Sequence, residues 1–300
     1  MVCVIAVLIA FAAIVAGSRS CSTQPETASP VVADQVQDDS QQDAVEVEEE
    51  PAEQADFSNL PSGLDSSTVA ALQAQADDAR IVKIVNNAAA LASTGEERQI
   101  KMLELAANDP QAIDFVADFP QRYPSVAAEP YKGDVQKGTI PDLKQWDQRW
   151  GYIEYCGGAL GSTGCCPTSL SMVYMGLTGN TDKSPADMAA LADADGYAVD
   201  EQGTIGNFLV DEAPDLGLSC QKFNPSSQSL TWFLQNGFVV VVNVGAGDFT
   251  DSGHFFVARG VSSDGSIEIN DPYSSVNTAK TWDADTITAQ SIAMYAFKAA

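Results

Sequence analysis

The chain contains a single histidine, His254, which lies between a Gly164-Cys165-Cys166-Pro167-Thr168 segment and Asp271. HExxH metalloprotease sites, three-histidine zinc sites and C2H2 fingers each need at least two histidines, so one histidine excludes them. Thiol catalysis needs only one imidazole, which serves as the base of a Cys–His pair. The order of Cys165, His254 and Asp271 along the chain therefore fits a cysteine nucleophile, a histidine base and a carboxylate that orients the base.

Cys165 is predicted to lie at the start of a helix. Gly164 allows a tight backbone turn before it, and Pro167 has the backbone angle of a first helical turn and needs no N–H partner there. A thiol in this position lies at the positive end of the helix dipole, which stabilises the thiolate. From the local sequence alone, a buried thiol or half of a disulfide explains Cys165 equally well.

His254 and Asp271 are predicted to lie at the same end of a β-hairpin. His254 begins a predicted strand at 254–261, and Asp271 follows a predicted strand at 266–270 and precedes a proline that ends ladder pairing. In such a hairpin Asp271 can accept one imidazole N–H and leave the other ring nitrogen for the sulfur. Taken singly, a core or surface histidine and a turn aspartate before proline are the more ordinary interpretations.

Gln145 is a candidate oxyanion donor in the segment Leu143-Lys144-Gln145-Trp146-Asp147-Gln148-Arg149-Trp150. Its side-chain amide and the backbone N–H of Cys165 can together hold the negative oxygen that develops in acyl transfer. A glutamine near two tryptophans is weak evidence when it is taken alone.

The apolar pattern predicts the elements that position these groups. Residues 60–130 are rich in Ala with apolar side chains at roughly helical spacing, so we interpret them as a small helical subdomain with one helix at 97–107. This region has no His or Cys, and we interpret it as a support or spacer. Residues 167–177 have apolar side chains at i, i+3, i+4 and i+7, which predicts a helix with a buried face.

Short helices and strands are predicted to complete the C-terminal region. The helices are expected at 185–194, 204–212 and 229–235, and the strands at 238–244, 254–261, 266–270 and 292–297. Helices followed by antiparallel strands predict an α+β fold.

Negative charge is concentrated ahead of the predicted folded region. The 300 residues include 15 Lys and Arg against 41 Asp and Glu, a net charge of −26. No Lys or Arg lies between Arg19 and Arg80, so residues 21–59 are predicted to form an acidic disordered linker. The acidic balance also argues against nucleic-acid binding, which needs a basic surface.

Residues 1–20 are interpreted as a signal peptide or a membrane anchor. The apolar run at 2–16 is shorter than the about 20 residues of a membrane-spanning helix and fits a secretory core of about 7–15 residues. Small residues follow it, although no Lys or Arg precedes it and the residues before Cys21 make a poor lipobox. The sequence thus predicts a secreted or cell-surface protein, with an uncleaved membrane or cell-envelope tether as the alternative.

Four segments together resemble the double-glycine-peptidase-like family of papain-fold cysteine peptidases, in particular its exported bacterial members. Residues 164–168 resemble the family's GCGPT helix start, and residues 249–255 its histidine segment. Residues 264–272 resemble its DG…NDP segment, and residues 145–150 its Q…W opening. The resemblance covers about residues 140–297, and residues 103–110 are similar to a segment that precedes this domain in bacterial relatives.

The resemblance implies a papain-like fold at 138–300, in which helices carry the nucleophile and an antiparallel sheet carries His and Asp. It implies that Cys165 is the nucleophile, His254 the base, Asp271 the orienting residue and Gln145 the oxyanion donor, with no metal or organic cofactor. The family usually has Gly where this chain has Cys166. A second thiol there can compete as nucleophile or pair with Cys156, Cys165 or Cys220, and in an oxidising compartment such pairing stays open.

The expected function is an exported cysteine peptidase-like hydrolase that cleaves peptide or amide bonds through a thioester. Its substrate would be a peptide or a peptidoglycan-like polymer, and the sequence does not distinguish them. The same triad can pass the acyl group to an amine, as an acyltransferase or transpeptidase does. An inactive papain-like module that binds peptide or cell-wall material, or a purely structural surface protein, is the alternative from another class.

Overall fold

The structure is a computed structural model that describes residues 53–300. The predicted leader at 1–20 and most of the predicted linker at 21–59 lie outside the described residues. Residues 53–59, the end of that linker range, include a 3-10 helix at Phe57–Asn59. The Asp56 side chain caps this helix by accepting a hydrogen bond from the backbone N–H of Ser58. The regular structure therefore begins before residue 60.

The helical region carries α-helices that pack around one apolar core. They are α1 (Ser66–Ala74), α2 (Ala79–Asn86), α3 (Glu96–Asn108) and α4 (Ile113–Arg122), with a 3-10 helix at Ala88–Thr94. Aspartates cap the first two, because Asp65 accepts from the backbone N–H groups of Ser67 and Thr68, and Asp78 from that of Arg80. The helix predicted at 97–107 is confirmed and extends by one residue at each end.

The C-terminal region is built on a six-stranded antiparallel sheet. Two short hairpins precede it, β1 (Glu154–Tyr155) with β2 (Gly158–Ala159) and β3 (Ala198–Val199) with β4 (Gly203–Thr204). The sheet strands are β5 (Leu218–Phe223), β6 (Val239–Val244), β7 (His254–Val261), β8 (Ile267–Asn270), β9 (Thr281–Trp282) and β10 (Ser291–Ala299). Their order across the sheet is β5-β10-β6-β7-β8-β9. The predicted α+β class is confirmed.

Helices cover both faces of this sheet. They are α5 (Leu160–Thr163), α6 (Cys165–Thr178), α7 (Pro185–Ala194), α8 (Phe208–Asp211), α9 (Ser227–Gln235), α10 (Ser275–Thr278) and α11 (Ala284–Gln290). Every residue of α6 from Cys166 to Gly176 is buried, rather than one face alone, because α6 lies between the sheet and α7. Among residues 53–300, no helix combines the length and hydropathy of a membrane span.

Two elements differ from the sequence prediction. The helix predicted at 204–212 is wrong in its first half, where Thr204 belongs to β4 and only Phe208–Asp211 is helical. The strand β5 was not predicted, because it lies at the edge of the sheet and its middle residues are only half-buried or exposed. Neither difference affects the strands that carry His254 and Asp271.

The helical region and the C-terminal region share an apolar core. Trp146, Tyr152 and Ala159 pack into the same buried cluster as Phe115 and other side chains of α3 and α4. The Phe115 and Tyr152 rings stack with their centroids 4.9 Å apart. This core joins residues of the two predicted domains, 60–130 and 138–300. The division of the chain into these two domains stays a prediction.

Candidate active site

Cys165 is the first residue of α6, where the sequence predicted it. Gly164 precedes it, and a Cβ atom at Gly164 would lie 2.6 Å from the Leu160 carbonyl oxygen and closer still to Leu160 Cδ1. Only glycine therefore lets α5 and α6 meet at this sharp turn. Cys165 remains half-buried at the edge of a cleft, so its thiol is accessible.

The β7–β8 hairpin brings His254 and Asp271 together. His254 begins β7, and Asp271 directly follows the end of β8. The His254 Nε2 atom lies 2.7 Å from Asp271 Oδ1, and their side chains are 7% and 1% exposed. The other ring nitrogen of His254 is left for Cys165, which lines the same cleft and whose sulfur is close enough to favour the charged imidazole.

Electrostatics favour a protonated His254. Burial opposes its charge, but the negative charge and hydrogen bond of Asp271, together with the neighbouring Cys165 sulfur, raise the pKa of His254 to about 10. Burial likewise opposes the charge of Asp271, yet the His254 charge and the hydrogen bonds to the carboxylate hold the pKa of Asp271 below its usual value. An imidazolium next to a thiol stabilises the thiolate, which is the nucleophilic form.

Both oxygen atoms of the Asp271 carboxylate are fixed by hydrogen bonds besides the contact with His254. Its Oδ1 atom accepts hydrogen bonds from the backbone N–H groups of Tyr273 at 2.8 Å and Ser274 at 3.2 Å. Its Oδ2 atom accepts from Asn277 Nδ2 at 2.9 Å. Asn277 was not found from the sequence, because it is one of several polar residues between Ser274 and Thr278.

Gln145 lines the same cleft as Cys165 and His254. Its Nε2 group donates a hydrogen bond to the Gly161 carbonyl at 2.9 Å, which fixes the amide, and the second Nε2 hydrogen remains free to donate. The residue is 1% exposed, and its Oε1 atom has no hydrogen-bond partner among the described residues. The four predicted site residues thus come together, three lining the cleft and Asp271 buried beneath His254.

The cleft has a volume of about 460 Å³, and three parts of the chain line it besides Gln145, Ser162, Cys165 and His254. The loop at 247–253 forms one side, the segment at 273–277 another, and α3 the third. The α3 residues that line it are Lys101, Glu104, Leu105 and Asn108, with Asp109 just beyond the end of the helix. Among residues 53–300, no group of three or more His, Cys, Asp or Glu side chains is arranged to hold a metal ion.

The helical region is also bonded to the loop that carries Asp271. Asp109 accepts hydrogen bonds from the Ser275 backbone N–H and hydroxyl, both at 2.6 Å, and the Tyr273 hydroxyl donates to the Lys101 carbonyl at 3.1 Å. The interpretation of this region as a support or spacer was therefore incomplete. Asp109 directly follows the last residue of α3, and its partner Ser275 lies 166 residues away in the sequence.

Cys166 does not compete with Cys165. It is fully buried in the core beneath the cleft, and burial raises its pKa well above the usual value. Burial also raises the pKa of Cys156, and that of Cys220 to about 12. The four cysteines of the described part are all unpaired, which leaves Cys165 as its one cleft-lining thiol.

An antiparallel sheet that presents His and Asp to a cysteine at a helix start defines a papain-like fold. The model of the Peptidase_C39 like family matches residues 138–297. The chain belongs to this family, which confirms the relationship and the papain-like fold expected from the four sequence segments.

Two further comparisons concern individual proteins. One similar solved structure is the peptidase domain of Streptococcus ComA, described as a bi-functional ABC transporter involved in a quorum sensing pathway. The match has 19% sequence identity and a TM-score of 0.35, and it covers 45% of this chain and 89% of that one. A search of curated proteins found no match.

Proposed function

We propose that the protein is a cysteine peptidase that hydrolyses peptide or amide bonds with Cys165, His254 and Asp271. The observation that carries this proposal is the 2.7 Å contact between His254 Nε2 and Asp271 Oδ1, in a cleft that both His254 and Cys165 line. A cleft opens onto the thiol, and the family to which the chain belongs supports a peptidase.

In the first half of the proposed reaction, the Cys165 thiolate attacks the carbonyl carbon of the scissile bond. A C–S bond forms, and the carbonyl electron pair moves to the oxygen, which accepts hydrogen bonds from the Cys165 N–H and Gln145 Nε2. The C–N bond then breaks while the His254 imidazolium gives its proton to the leaving amine. The product is an acyl thioester on Cys165 and a neutral imidazole.

In the second half, water attacks the thioester. His254 takes a proton from the water as the C–O bond forms, and the C–S bond breaks to return the Cys165 thiolate and release a carboxylic acid. Asp271 stabilises the imidazolium in both halves and fixes which ring nitrogen faces the sulfur. The steps use Cys165, His254 and Gln145, which line the cleft, and Asp271, which is buried beneath His254.

Acyl transfer to an amine is the second candidate, because the same thioester serves both reactions. Cys165 is half-buried and lines the cleft, so water or a second substrate can reach the thioester. Release of a free acid from a model peptide supports hydrolysis, whereas a new amide formed only with an added amine supports transfer.

The proposal extends to location and substrate class. We propose that the protein is exported and acts on a peptide or peptidoglycan-like substrate, with the N-terminal residues as its leader or tether. Cell fractionation and N-terminal sequencing of the mature chain test this part. Recovery of the protein in the cytoplasm with its first residues intact contradicts export and leaves the chemistry unaffected.

The thiol chemistry is tested by iodoacetamide labelling, followed by intact mass between pH 5 and 9. We expect rapid labelling at pH 6 that disappears in Cys165→Ala and slows in His254→Ala. Cys166→Ala is the matched control, because it removes the adjacent buried thiol and should leave the labelling rate unchanged. Slow labelling of the wild type at every pH below 8 would contradict the enzyme and favour an inactive binding module.

A further inference from the structure

Three consecutive residues, 144–146, are bonded to the carbonyl groups of three others, 271–273. The bonds are Lys144 Nζ to Asp271 O at 2.7 Å, Gln145 N to Pro272 O at 2.8 Å, and Trp146 Nε1 to Tyr273 O at 2.7 Å. The first segment carries the proposed oxyanion donor, and the second carries the carboxylate that orients the base. These bonds therefore tie the two sides of the proposed active site directly to each other.

Lys144 is the charged member of this set and is only 7% exposed. Besides the Asp271 carbonyl, its ammonium group donates to Asp142 Oδ1 at 2.8 Å, Thr278 Oγ1 at 3.0 Å and, at the longest distance, the Ser274 carbonyl at 3.5 Å. A buried ammonium group is stable only when its hydrogens are all bonded, so these acceptors must stay in place around it. Three of the four acceptors belong to the segment from Asp271 to Thr278.

We propose that Lys144 is a positioning residue, which with Trp146 holds the backbone of residues 271–273 and so fixes the Asp271 carboxylate on His254. The inference rests on the proposed function, because positioning has an effect on catalysis only if His254 is the base. The backbone of residues 271–273 positions the Asp271 carboxylate in a second way as well. It orients the Tyr273 N–H group, which donates a hydrogen bond to Asp271 Oδ1 at 2.8 Å.

The two ways in which Lys144 can affect His254 have opposite signs. Removal of a positive charge near the imidazole, with no movement, makes protonation easier and raises the pKa of His254. Displacement of Asp271 removes the negative partner that keeps the imidazole charged and lowers the pKa of His254. The direction of the change in the Lys144→Met variant therefore distinguishes positioning from a simple charge effect.

The substitution does not alter the chemical identity of any other group around His254. Asp271 Oδ1 lies 2.7 Å from the imidazole Nε2, Cys165 lines the same cleft, and the Tyr273 ring lies 6.4 Å away between centroids. The remaining charged groups of the cleft are Lys101, Glu104 and Asp109 on the α3 side and Asp248 and Asp251 on the loop before β7.

The test is an NMR titration of His254 in the full-length protein, purified without a histidine tag. Because the chain has one histidine, its imidazole resonances are assigned without ambiguity. We expect the titration midpoint of Lys144→Met to fall by about one pH unit or more. We also expect its rate of Cys165 labelling to fall on the order of ten- to a hundredfold, because the base is misplaced.

Two further variants keep the test decisive. Trp146→Phe removes the neutral donor to Tyr273 O and should lower the midpoint in the same direction, so it decides the question if Lys144→Met does not fold. Lys132→Met is the matched control, since its side chain is 70% exposed, and it should titrate as the wild type does.

A midpoint that is unchanged or higher in the folded Lys144→Met and Trp146→Phe variants would overturn the positioning role. Failure of the proposed function has a different signature. In that case the wild-type thiol labels slowly, while the His254 titration still reports whether Lys144 holds Asp271.

Discussion

Cys165 and Cys166 are adjacent in the chain, yet their thiols lie in opposite environments. The helix start at Gly164 directs one toward the cleft and the other, a turn of about 100° away, into the core. The difference in burial, and not the local sequence, distinguishes the accessible thiol from the inert one. The accessibility of each of the two thiols thus depends on the residue at which α6 begins.

The His254–Asp271 pair gives a prediction for stability against pH. The pKa of His254 is raised to about 10, so its stabilising contribution is complete below its unfolded pKa of about 6.5 and is lost as the pH rises toward 10. The pKa of Asp271 is lowered, so its contribution is present above about pH 4 and is lost in acid. The pair therefore contributes most between about pH 4 and 6.5.

Urea unfolding of the wild type and Asp271→Asn at pH 6, 8 and 10 measures this contribution. We expect the difference in free energy of unfolding to be largest at pH 6 and to shrink toward pH 10. Comparison of the two proteins at each pH cancels the titration of groups far from the pair. A difference that stays constant across this range would mean that His254 is not held in its charged form.

At the scale of elements, the turn between α5 and α6 is the most constrained part of the site. Gly164→Ala would place its Cβ against Leu160, and we expect it to destabilise the protein by about 1–3 kcal/mol and to slow labelling of Cys165. Gly253→Ala is the matched control for stability, because a Cβ there meets nothing within 4 Å. Thermal unfolding measures both variants, and the labelling rate is compared between Gly164→Ala and the wild type. Equal stability of the two variants would contradict the close approach.

Local sequence patterns were sufficient to predict the elements that carry the site. Ser184 and Pro185 are a cap and a first helical residue, and α7 covers the predicted 185–194 without change. The strand predicted at 254–261 is likewise β7 as observed, because glycine and apolar residues mark its bounds. The edge strand β5 and the β4–α8 segment were missed because their burial depends on neighbours distant in sequence.

Functional side chains across the whole molecule also divide into those marked by local sequence and those that depend on a partner distant in sequence. Cys165, His254, Asp271 and Gln145 were predicted because each lies in a short, recognisable segment. Lys144 and Asp109 were not, because each acts through a partner more than 120 residues away, Asp271 for the first and Ser275 for the second. A contact of that kind leaves no local pattern in either segment that could indicate the other.

The helical region therefore gives a prediction for the whole molecule: it is part of the active site and not only its support. Asp109→Ala removes both hydrogen bonds to Ser275 and loosens the loop that begins at Asp271. We expect the free energy of unfolding to fall by about 1–3 kcal/mol, and labelling of Cys165 to slow although the thiol itself is unchanged.

The matched control for this prediction is Asp114→Ala, another aspartate of the helical region whose side chain is 58% exposed and pairs with Arg80 at the surface. We expect its stability to stay within about 0.5 kcal/mol of the wild type, with an unchanged labelling rate. If Cys165 is labelled as fast in Asp109→Ala as in Asp114→Ala, α3 lines the cleft but does not position the segment that follows Asp271. Slower labelling in Asp109→Ala alone would mean that residues outside the family match help to set the reactivity of Cys165.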